Sequence, residues 1–247
     1  MPPDVWNDRY LLYKGDCLEV MPTLYEGVAA MVLCDLPYGT TQNKWDAIIP
    51  FDRLWACYSR LTKGAVVLFA AQPFTSALVM SNVNHFRYDW TWRKEKGTGH
   101  LNAKKMPMRD KEDIVVFGNI AACYNPQFGE GKPFGNKRGT KQLTDNYGEF
   151  GQFNEPNDGK RYPKQVLEYN VVGRGSQHPT QKPVELLEYL IKTYTNENDV
   201  VLDNTMGSGS TGVACMNTKR RFIGIEQNDG YFDIAVKRVT EAYEANK

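Results

Sequence analysis

The sequence lacks a strong net charge, a cysteine framework and any long hydrophobic run. Lys and Arg number 30 against 29 for Asp and Glu, so the net charge is only +1. A nucleic-acid partner would therefore have to be recognised through a local basic patch and not through overall charge. With 41% apolar residues over 247 positions, the chain can still bury a large core. We expect one large domain, or one domain with an inserted lobe.

The 5 cysteines and 3 histidines are scattered along the chain. No C-x-x-C pair occurs and the histidines lie far apart in sequence, which argues against a disulfide framework or a metal site such as zinc. The first residues lack a basic segment followed by an apolar one, and apolar runs such as residues 64–71 are too short to cross a bilayer. We therefore expect a soluble, cytoplasmic protein with no membrane partner.

Apolar runs alternate with stretches of helical period at both ends of the chain. Residues 51–61 place apolar side chains three and four positions apart, which predicts a helix packed on one face. Another helix is predicted to begin near Ser210. Short β-rich runs predict strands at 10–13, 28–33, 65–70, 88–92, 114–117, 200–202 and 222–225. This alternation favours an α/β fold whose mostly parallel sheet carries helices on both faces.

The middle of the chain, residues 118–177, shows no clear periodicity. It is rich in Gly, Asn, Pro, Lys and aromatic residues, which is typical of an inserted lobe or of long functional loops. The alternative is a disordered linker, against which its many aromatic residues argue. The predicted organisation is therefore a first half at 1–117, an inserted region at 118–177 and a second half at 178–247.

A glycine-rich loop follows the predicted strand at 200–202. The segment VVLDNTMGSGSTG, residues 200–212, leads from this strand into a helix, and its glycines match G-x-G-x-x-G. Glu226 follows about twenty residues on, as the ribose-binding acid of a dinucleotide enzyme would. Asp203 argues for another ligand, because a carboxylate at the end of the strand suits a cationic or amine-bearing group better than a pyrophosphate.

Acidic residues also follow two strands in the first half. Asp16 comes directly after the first predicted strand, at the position where open α/β sheets form ligand sites, although it could also serve as a helix N-cap. The segment DLPY, residues 35–38, follows the strand at 28–33. Taken alone, it could be an ordinary β-turn after a buried strand.

Four motifs in this order resemble the S-adenosylmethionine-dependent DNA methyltransferases that modify exocyclic amino groups. They are GD at 15–16, DLPY at 35–38, HPTQKP at 178–183 and D-x-x-x-G-x-G at 203–209. Because DLPY precedes the glycine loop with an unlike segment between them, the chain resembles the permuted β group of that family over nearly its whole length. The resemblance implies a circularly permuted Rossmann-like sheet with an inserted target-recognition lobe. For residues 178–183 the alternative is a simple helix start with proline in the first turn.

The chain departs from the family pattern at two places. The glycine-loop consensus is D-P-F-x-G-x-G, whereas this chain has Asn204, Thr205 and Met206 between the aspartate and the first glycine. Met206 is therefore the candidate for the apolar contact that phenylalanine usually makes to the cofactor. Leu36 replaces the commoner proline of the catalytic motif, but its carbonyl oxygen survives that change.

The resemblance implies S-adenosylmethionine as cofactor and assigns residues to its parts. Asp203 and the glycine-loop backbone would hold the methionine part, which Thr180 and Lys182 would close. Glu226 would take the ribose hydroxyls and Asp16 the adenine edge. The full set of implied cofactor contacts is Asp16, Cys17, Asp35, Thr180, Lys182, Asp203, Asn204, Met206, Gly207, Gly209, Ser210 and Glu226.

The DLPY motif suits the chemistry of an exocyclic amine, whose lone pair is delocalised into the base. Asp35 and the Leu36 carbonyl can accept hydrogen bonds from the amino hydrogens and favour a more tetrahedral nitrogen. Pro37 stiffens the turn that aims both acceptors. Tyr38 offers a ring on which a base flipped out of the duplex can stack. We expect direct in-line methyl transfer without a covalent enzyme intermediate.

The predicted function is site-specific methylation of adenine N6 in double-stranded DNA, because aspartate in the first position of the catalytic motif resembles adenine-N6 enzymes. The alternative is a cytosine-N4 enzyme that uses the same machinery. Two further hypotheses are a nicotinamide dehydrogenase, suggested by the glycine loop, and a catalytically idle DNA-binding protein. Members of this group often pair as homodimers.

A basic segment at 93–111, between two predicted strands, carries seven basic and two acidic residues. It predicts a phosphate clamp, with Lys104, Lys105 and Arg109 as DNA contacts, and an ordinary solvated loop is the alternative. The inserted region at 118–177 occupies the place where this group carries target recognition, so its polar side chains are candidates for reading base edges.

Overall fold

The computed structural model describes residues 1–39, 46–135, 143–144, 148–149, 158–173 and 181–247. The chain forms two compact units, one of Met1–Asn125 with Gln165–Lys247 and the other of Pro126–Lys164. The smaller unit begins later and ends earlier in the chain than the predicted inserted region at 118–177. At the C-terminal end the reason is that the strand Val166–Glu168 pairs into the sheet of the larger unit.

The described residues contain thirteen strands and six α-helices, numbered here in chain order. The strands are β1 (Val5–Trp6), β2 (Tyr10–Lys14), β3 (Ala29–Asp35), β4 (Thr62–Ala70), β5 (Phe86–Thr98), β6 (Arg109–Gly118), β7 (Gly129–Glu130), β8 (Leu143–Thr144), β9 (Gly148–Glu149), β10 (Lys160–Arg161), β11 (Val166–Glu168), β12 (Val200–Asp203) and β13 (Arg221–Glu226). The helices are α1 (Cys17–Val20), α2 (Phe51–Leu61), α3 (Phe74–Ser81), α4 (Val184–Tyr194), α5 (Ser210–Asn217) and α6 (Asp229–Ala245).

Nine of the described strands form one sheet in the order β1-β2-β13-β12-β3-β4-β6-β5-β11. Among these nine, only β1 and β6 run against the common direction, so the predicted mostly parallel sheet is confirmed. The late strands β12 and β13 lie between the early strands β2 and β3. The carboxyl ends of strands from both halves of the chain therefore meet at one edge, where ligand sites of such sheets form.

Side-chain alternation along β3 shows how the sheet is covered on both faces. Met31 and Leu33 belong to the apolar layer that contains α4, α5 and α6. Val32 and Cys34 point the other way, into the layer that contains α1, α2 and α3. Because successive strand residues face opposite sides, both faces of this strand are buried, as in a doubly wound sheet.

The helix predicted at 51–61 is confirmed as α2, which buries Leu54, Tyr58 and Leu61 along one side. The strands predicted at 88–92 and 114–117 are longer in the structure. β5 continues to Thr98 and β6 begins at Arg109, although both added segments are polar. Asp113 pairs with Ala70, the last residue of β4, so the part of β6 before Asp113 extends past the carboxyl end of β4 together with its β5 partner.

The smaller unit contains two short antiparallel pairs among its described residues, β7 with β10 and β8 with β9. The rings of Phe128 and Tyr162 lie 4.9 Å apart between centroids. The Arg161 guanidinium lies 5.0 Å from the centroid of the Phe134 ring. In the part of the chain that the structure describes, no helix is both long and apolar enough to span a membrane.

Candidate active site

A cavity of about 480 Å³ lies at the carboxyl edge of the parallel strands, within the size range of small-molecule sites. The predicted residues that line it are Asp16, Cys17, Asp35, Leu36, Pro37, Tyr38, Lys182, Asp203, Asn204, Met206, Gly207, Ser210 and Glu226. Thr180 lies outside the described residues. Gly209 does not line the cavity; its φ of 77° forms the turn, and a Cβ there would lie 3.0 Å from Ala235.

Asp203 ends β12 and organises the start of the glycine loop. Its Oδ1 accepts a hydrogen bond from the Thr205 backbone N at 3.1 Å, and its Oδ2 accepts one from the Thr211 hydroxyl at 2.6 Å. Asp203 is only 3% exposed. Burial raises the pKa of Asp203 to about 7 in spite of these two hydrogen bonds. The charge of this carboxyl therefore changes near neutral pH.

Glu226 ends β13 and ties the glycine loop to the sheet. Its Oε2 accepts a hydrogen bond from the Gly207 backbone N at 2.9 Å, and its Oε1 accepts one from the Asn228 backbone N at 2.8 Å. Burial raises the pKa of Glu226 above its usual value. Both carboxylate oxygens already hold backbone donors, and each retains further acceptor capacity toward a ligand.

Arg238, on α6, supports the same loop and was not predicted from the sequence. Its Nη1 donates to the Ser208 carbonyl at 2.6 Å and lies 2.9 Å and 3.2 Å from the hydroxyls of Ser208 and Ser210. No sequence motif identifies this arginine. It reaches the glycine loop because α6 packs against α5, the helix that follows the loop.

Asn204 stands where the family pattern has proline, and the structure gives it a buried polar role. Its Oδ1 accepts hydrogen bonds from the Tyr58 hydroxyl at 2.6 Å and from the Cys34 thiol at 2.9 Å. Asn204 thereby links the end of β12 to β3 and α2. Asp16 caps α1, since its Oδ1 accepts a hydrogen bond from the Leu18 backbone N at 2.8 Å, and it also lines the cavity.

Asp35 lies at the end of β3, and both of its carboxylate oxygens are engaged. Oδ1 accepts a hydrogen bond from the Tyr38 hydroxyl at 2.8 Å, while Oδ2 accepts one from the Lys182 ammonium at 2.5 Å. Burial raises the pKa of Asp35, and the positive charge of Lys182 opposes that rise. The Tyr38 ring stacks on Phe74 with centroids 5.1 Å apart and planes 26° apart, so Phe74 supports one face of it.

Glu112, on β6, is a further cavity residue that was not predicted, because it lies between the basic segment at 93–111 and the predicted strand at 114–117, where no motif identifies it. Its Oε2 lies 3.3 Å from the Lys182 ammonium and its Oε1 lies 2.5 Å from that of Lys94. The attraction of these two lysines lowers the pKa of Glu112 even though its burial acts in the other direction. Lys182 therefore stands between two carboxylates.

The predicted DNA contacts lie at the tip of the β5–β6 hairpin. Lys104 and Lys105 are exposed in the turn that joins the two strands, and Arg109 is exposed at the start of β6. Leu101, also in this turn, is 88% exposed. β5 continues for about five residues after Arg93, which pairs with Lys111. At about 3.3 Å per residue, the hairpin extends roughly 15 Å further, in the direction of the sheet edge that carries the cavity.

The chemistry of the cavity lining suits a ligand with amine and hydroxyl groups. Three carboxyl groups, Asp16, Asp203 and Glu226, surround the glycine loop. Within the described lining, Lys182 is the one lysine or arginine, and it is paired with Asp35 and Glu112. A pyrophosphate would find carboxylates where it needs donors, so the donor set fits S-adenosylmethionine better than a nicotinamide dinucleotide.

Comparison with known protein families gives one matching family. A model described as DNA methylase, for the N6 and N4 methylases, matches residues 29–237. The type II methyltransferase M2.MboI of Moraxella bovis is 35% identical over 266 residues, which cover 95% of this chain and 89% of that protein. M2.DpnII of Streptococcus pneumoniae is 42% identical over 104 residues, which cover 40% of this chain. The matched part spans only 38% of the length of M2.DpnII and 34% of that of M2.LlaDCHI of Lactococcus lactis subsp. cremoris.

Solved structures with the same fold cover nearly the whole chain. The structure of the M1.HpyAVI–SAM complex has a TM-score of 0.63 and 26% identity, and the match covers 93% of this chain and 98% of that one. The PvuII DNA methyltransferase, described as cytosine-N4-specific, has a TM-score of 0.64 and 15% identity, with 99% and 95% covered. The second likeness concerns the fold alone.

Proposed function

The chain belongs to the DNA methylase family of N6 and N4 methylases, and from this premise we propose that it transfers a methyl group from S-adenosylmethionine to adenine N6 in duplex DNA. The observation that carries the proposal is that one cavity holds both the DLPY motif and the glycine loop. The residues that would hold the cofactor and the carboxylate that would bind the target amino group thus line the same cavity. The amino group of a flipped base and the cofactor's methyl group can meet there.

The cofactor, when bound, supplies a methyl group on a positively charged sulfonium sulfur. Asp203 and the backbone of the glycine loop would hold its methionine part, and Arg238 keeps that loop in place. Glu226 would accept hydrogen bonds from the ribose hydroxyls. Asp16, at the start of α1, would face the adenine edge. Thr180, which lies outside the described residues, stays a prediction for the same pocket.

The catalytic step needs acceptors that draw the amino lone pair out of conjugation with the base. Asp35 and the Leu36 carbonyl would accept the two amino hydrogens, and Pro37 limits movement of the turn between them. Tyr38 would stack on the flipped base, and its support by Phe74 holds the ring in one orientation. Such a stack offsets part of the cost of flipping, since both are of the order of a few kcal/mol.

The choice of adenine over cytosine rests on the aspartate in the first position of DLPY. The alternative target is cytosine N4, since the same fold occurs in an enzyme described as cytosine-N4-specific. Both targets present an exocyclic amine to the same pair of acceptors. We further propose that the inserted region at 118–177, which contains the compact unit Pro126–Lys164, serves target recognition, and homodimer pairing stays a prediction.

The direct test is to identify the methylated nucleoside. The protein would be incubated with unmethylated duplex DNA and S-adenosylmethionine, the DNA digested and the nucleosides analysed by mass spectrometry beside an Asp35→Ala variant. We expect N6-methyladenine that is lost in the variant. N4-methylcytosine would move the assignment to the alternative target. No methylated base from a protein that binds the cofactor would contradict the proposed function.

The hairpin is proposed to contact DNA phosphates, and this gives a prediction on salt dependence. Replacing Lys104 and Lys105 with alanine removes two exposed cations, so DNA affinity should fall and the slope of log K against log salt should decrease by about 2. Fluorescence anisotropy with duplex DNA over a range of salt concentrations measures both. The matched control replaces Lys237 and Lys247, exposed lysines on or just after α6. An unchanged slope in the hairpin variant would contradict the clamp.

A further inference from the structure

We propose that Lys182 is the positioning residue of Asp35: it holds the Oδ2 atom and leaves Oδ1 as the oxygen that receives the target amino group. This rests on the proposed function, because it names how the catalytic carboxylate of that same site is oriented. The resemblance in sequence places Lys182 in the methionine pocket instead. The two roles predict different consequences when Lys182 is changed.

The surroundings of the Lys182 ammonium fix it in one place. It lies 2.5 Å from Asp35 Oδ2, 3.3 Å from Glu112 Oε2 and 5.0 Å from the centroid of the Phe69 ring. Its side chain is only 7% exposed. Two carboxylates and an aromatic face thus surround a buried cation, an arrangement that compensates its charge and leaves little freedom of movement.

Glu112 is in turn held from the hairpin. Its other oxygen pairs with the Lys94 ammonium at 2.5 Å, and both side chains of that pair are largely buried, at 16% and 12% exposure. Charges therefore alternate from Lys94 through Glu112 and Lys182 to Asp35. This row joins β5, β6, the residues before α4 and the end of β3, so it fixes the catalytic carboxylate against three other parts of the fold.

The two oxygens of Asp35 differ in how easily their present hydrogen bonds can be broken. Oδ2 is bound to a buried ammonium held by a second carboxylate, whereas Oδ1 is bound to the hydroxyl of Tyr38, whose C–O bond can rotate its hydrogen away. Releasing the Tyr38 hydroxyl separates no pair of opposite charges, whereas breaking the Lys182 contact would separate two buried ones. An entering amino group would therefore replace the Tyr38 hydroxyl at Oδ1 and leave the Lys182 contact intact.

The same row of charges affects the protonation of Asp35. Lys182 lowers the pKa of Asp35, while burial and the charge of Glu112 raise it. The Tyr38 hydroxyl lowers it by donating to the carboxylate, and Asp203 across the cavity is a further acid that interacts with Asp35. Removing Lys182 or Glu112 should therefore move the titration of Asp35 in opposite directions.

The test compares Lys182→Met and Glu112→Gln by NMR of protein labelled with ¹³C at the aspartate carboxyl carbons, with Asp35→Asn used to assign the signal. We expect the Asp35 titration midpoint to rise by at least about one pH unit in Lys182→Met and to fall in Glu112→Gln. Lys182→Arg keeps the charge and should stay near the wild type. The measurement uses cofactor-free protein, so it does not depend on methyl transfer.

A single-turnover rate measured against pH gives the second readout. The acid limb of the rate should move upward in Lys182→Met and downward in Glu112→Gln, while affinity for S-adenosylmethionine changes less than threefold. Equal midpoints in all folded variants, or a large loss of cofactor affinity with an unmoved acid limb, would overturn the positioning role. If wild-type protein methylates no DNA, the proposed function fails while the NMR result still decides the Lys182–Asp35 coupling.

Discussion

Replacing Asp35 with alanine should lower the methyl-transfer rate constant by about 10²- to 10³-fold, the usual effect of losing one preorganised hydrogen-bond partner in an active site. Asp35 lines the cavity at the end of β3, and the nearby carboxylate of Glu112 is already bound by Lys94 and Lys182. Without Asp35, the amino group keeps only the Leu36 carbonyl as acceptor. Single-turnover kinetics with saturating cofactor and DNA measure the chemical step.

Two controls separate this loss from general damage. Asp35→Asn keeps the shape and one acceptor oxygen but not the charge, so its rate should lie between those of the wild type and Asp35→Ala. Asp52→Ala removes an exposed carboxylate from the first turn of α2 and should leave the rate within twofold. Asp35→Ala with a wild-type rate and unchanged fold would show that the DLPY carboxylate has no catalytic role.

The sheet and the meeting of the two motifs followed from the sequence because their signals are local. The apolar runs at 28–33 and 200–202 predict strands of one mostly parallel sheet, and an acid close to the end of each such strand lies at the same edge. Asp35 and Asp203 do line one cavity. The helix at 51–61 was found at its observed bounds because its apolar period of three and four residues begins after Pro50 and is complete within the helix.

The contacts that were not predicted from the sequence join distant parts of the chain. Lys182 and Asp35 are 147 positions apart, and only the fold places them 2.5 Å from each other. Glu112 lies in a polar stretch with no apolar alternation, since this part of β6 pairs with β5 by backbone hydrogen bonds beyond the end of β4. Neither propensity nor motif spacing records such a partner.

Affinity for S-adenosylmethionine should decrease as the pH falls from 8 to 6, because burial raises the pKa of Asp203 to about 7. Above that pH the carboxylate is ionised and attracts the cationic methionine part, whereas below it the group binds a proton and loses this attraction. If only the ionised form binds well, the dissociation constant rises by up to about tenfold for each pH unit below 7. Isothermal titration calorimetry between pH 5.5 and 8.5 measures this slope.

The stability of the cofactor-free protein should change in the opposite direction with pH. The folded protein binds the Asp203 proton up to a pH of about 7, whereas an unfolded aspartate releases it near about 3.9. Between these values the native state holds more protons, so the free energy of unfolding decreases as the pH rises, by up to about 1.4 kcal/mol per pH unit. Above pH 7 the stability contributed by the Asp203 proton is lost. Cofactor affinity is highest in that same pH range.

Asp203→Asn separates these two effects from those of other titrating groups such as Glu226. The variant keeps an acceptor for the Thr211 hydroxyl but has no charge to gain or lose. Its cofactor affinity should be low and should depend less on pH than that of the wild type. Its stability should lack the decrease between pH 4 and 7. Wild-type and variant curves that run parallel over this range would show that Asp203 does not titrate there, and equal affinities of the two proteins at pH 8 would show that its charge does not hold the cofactor.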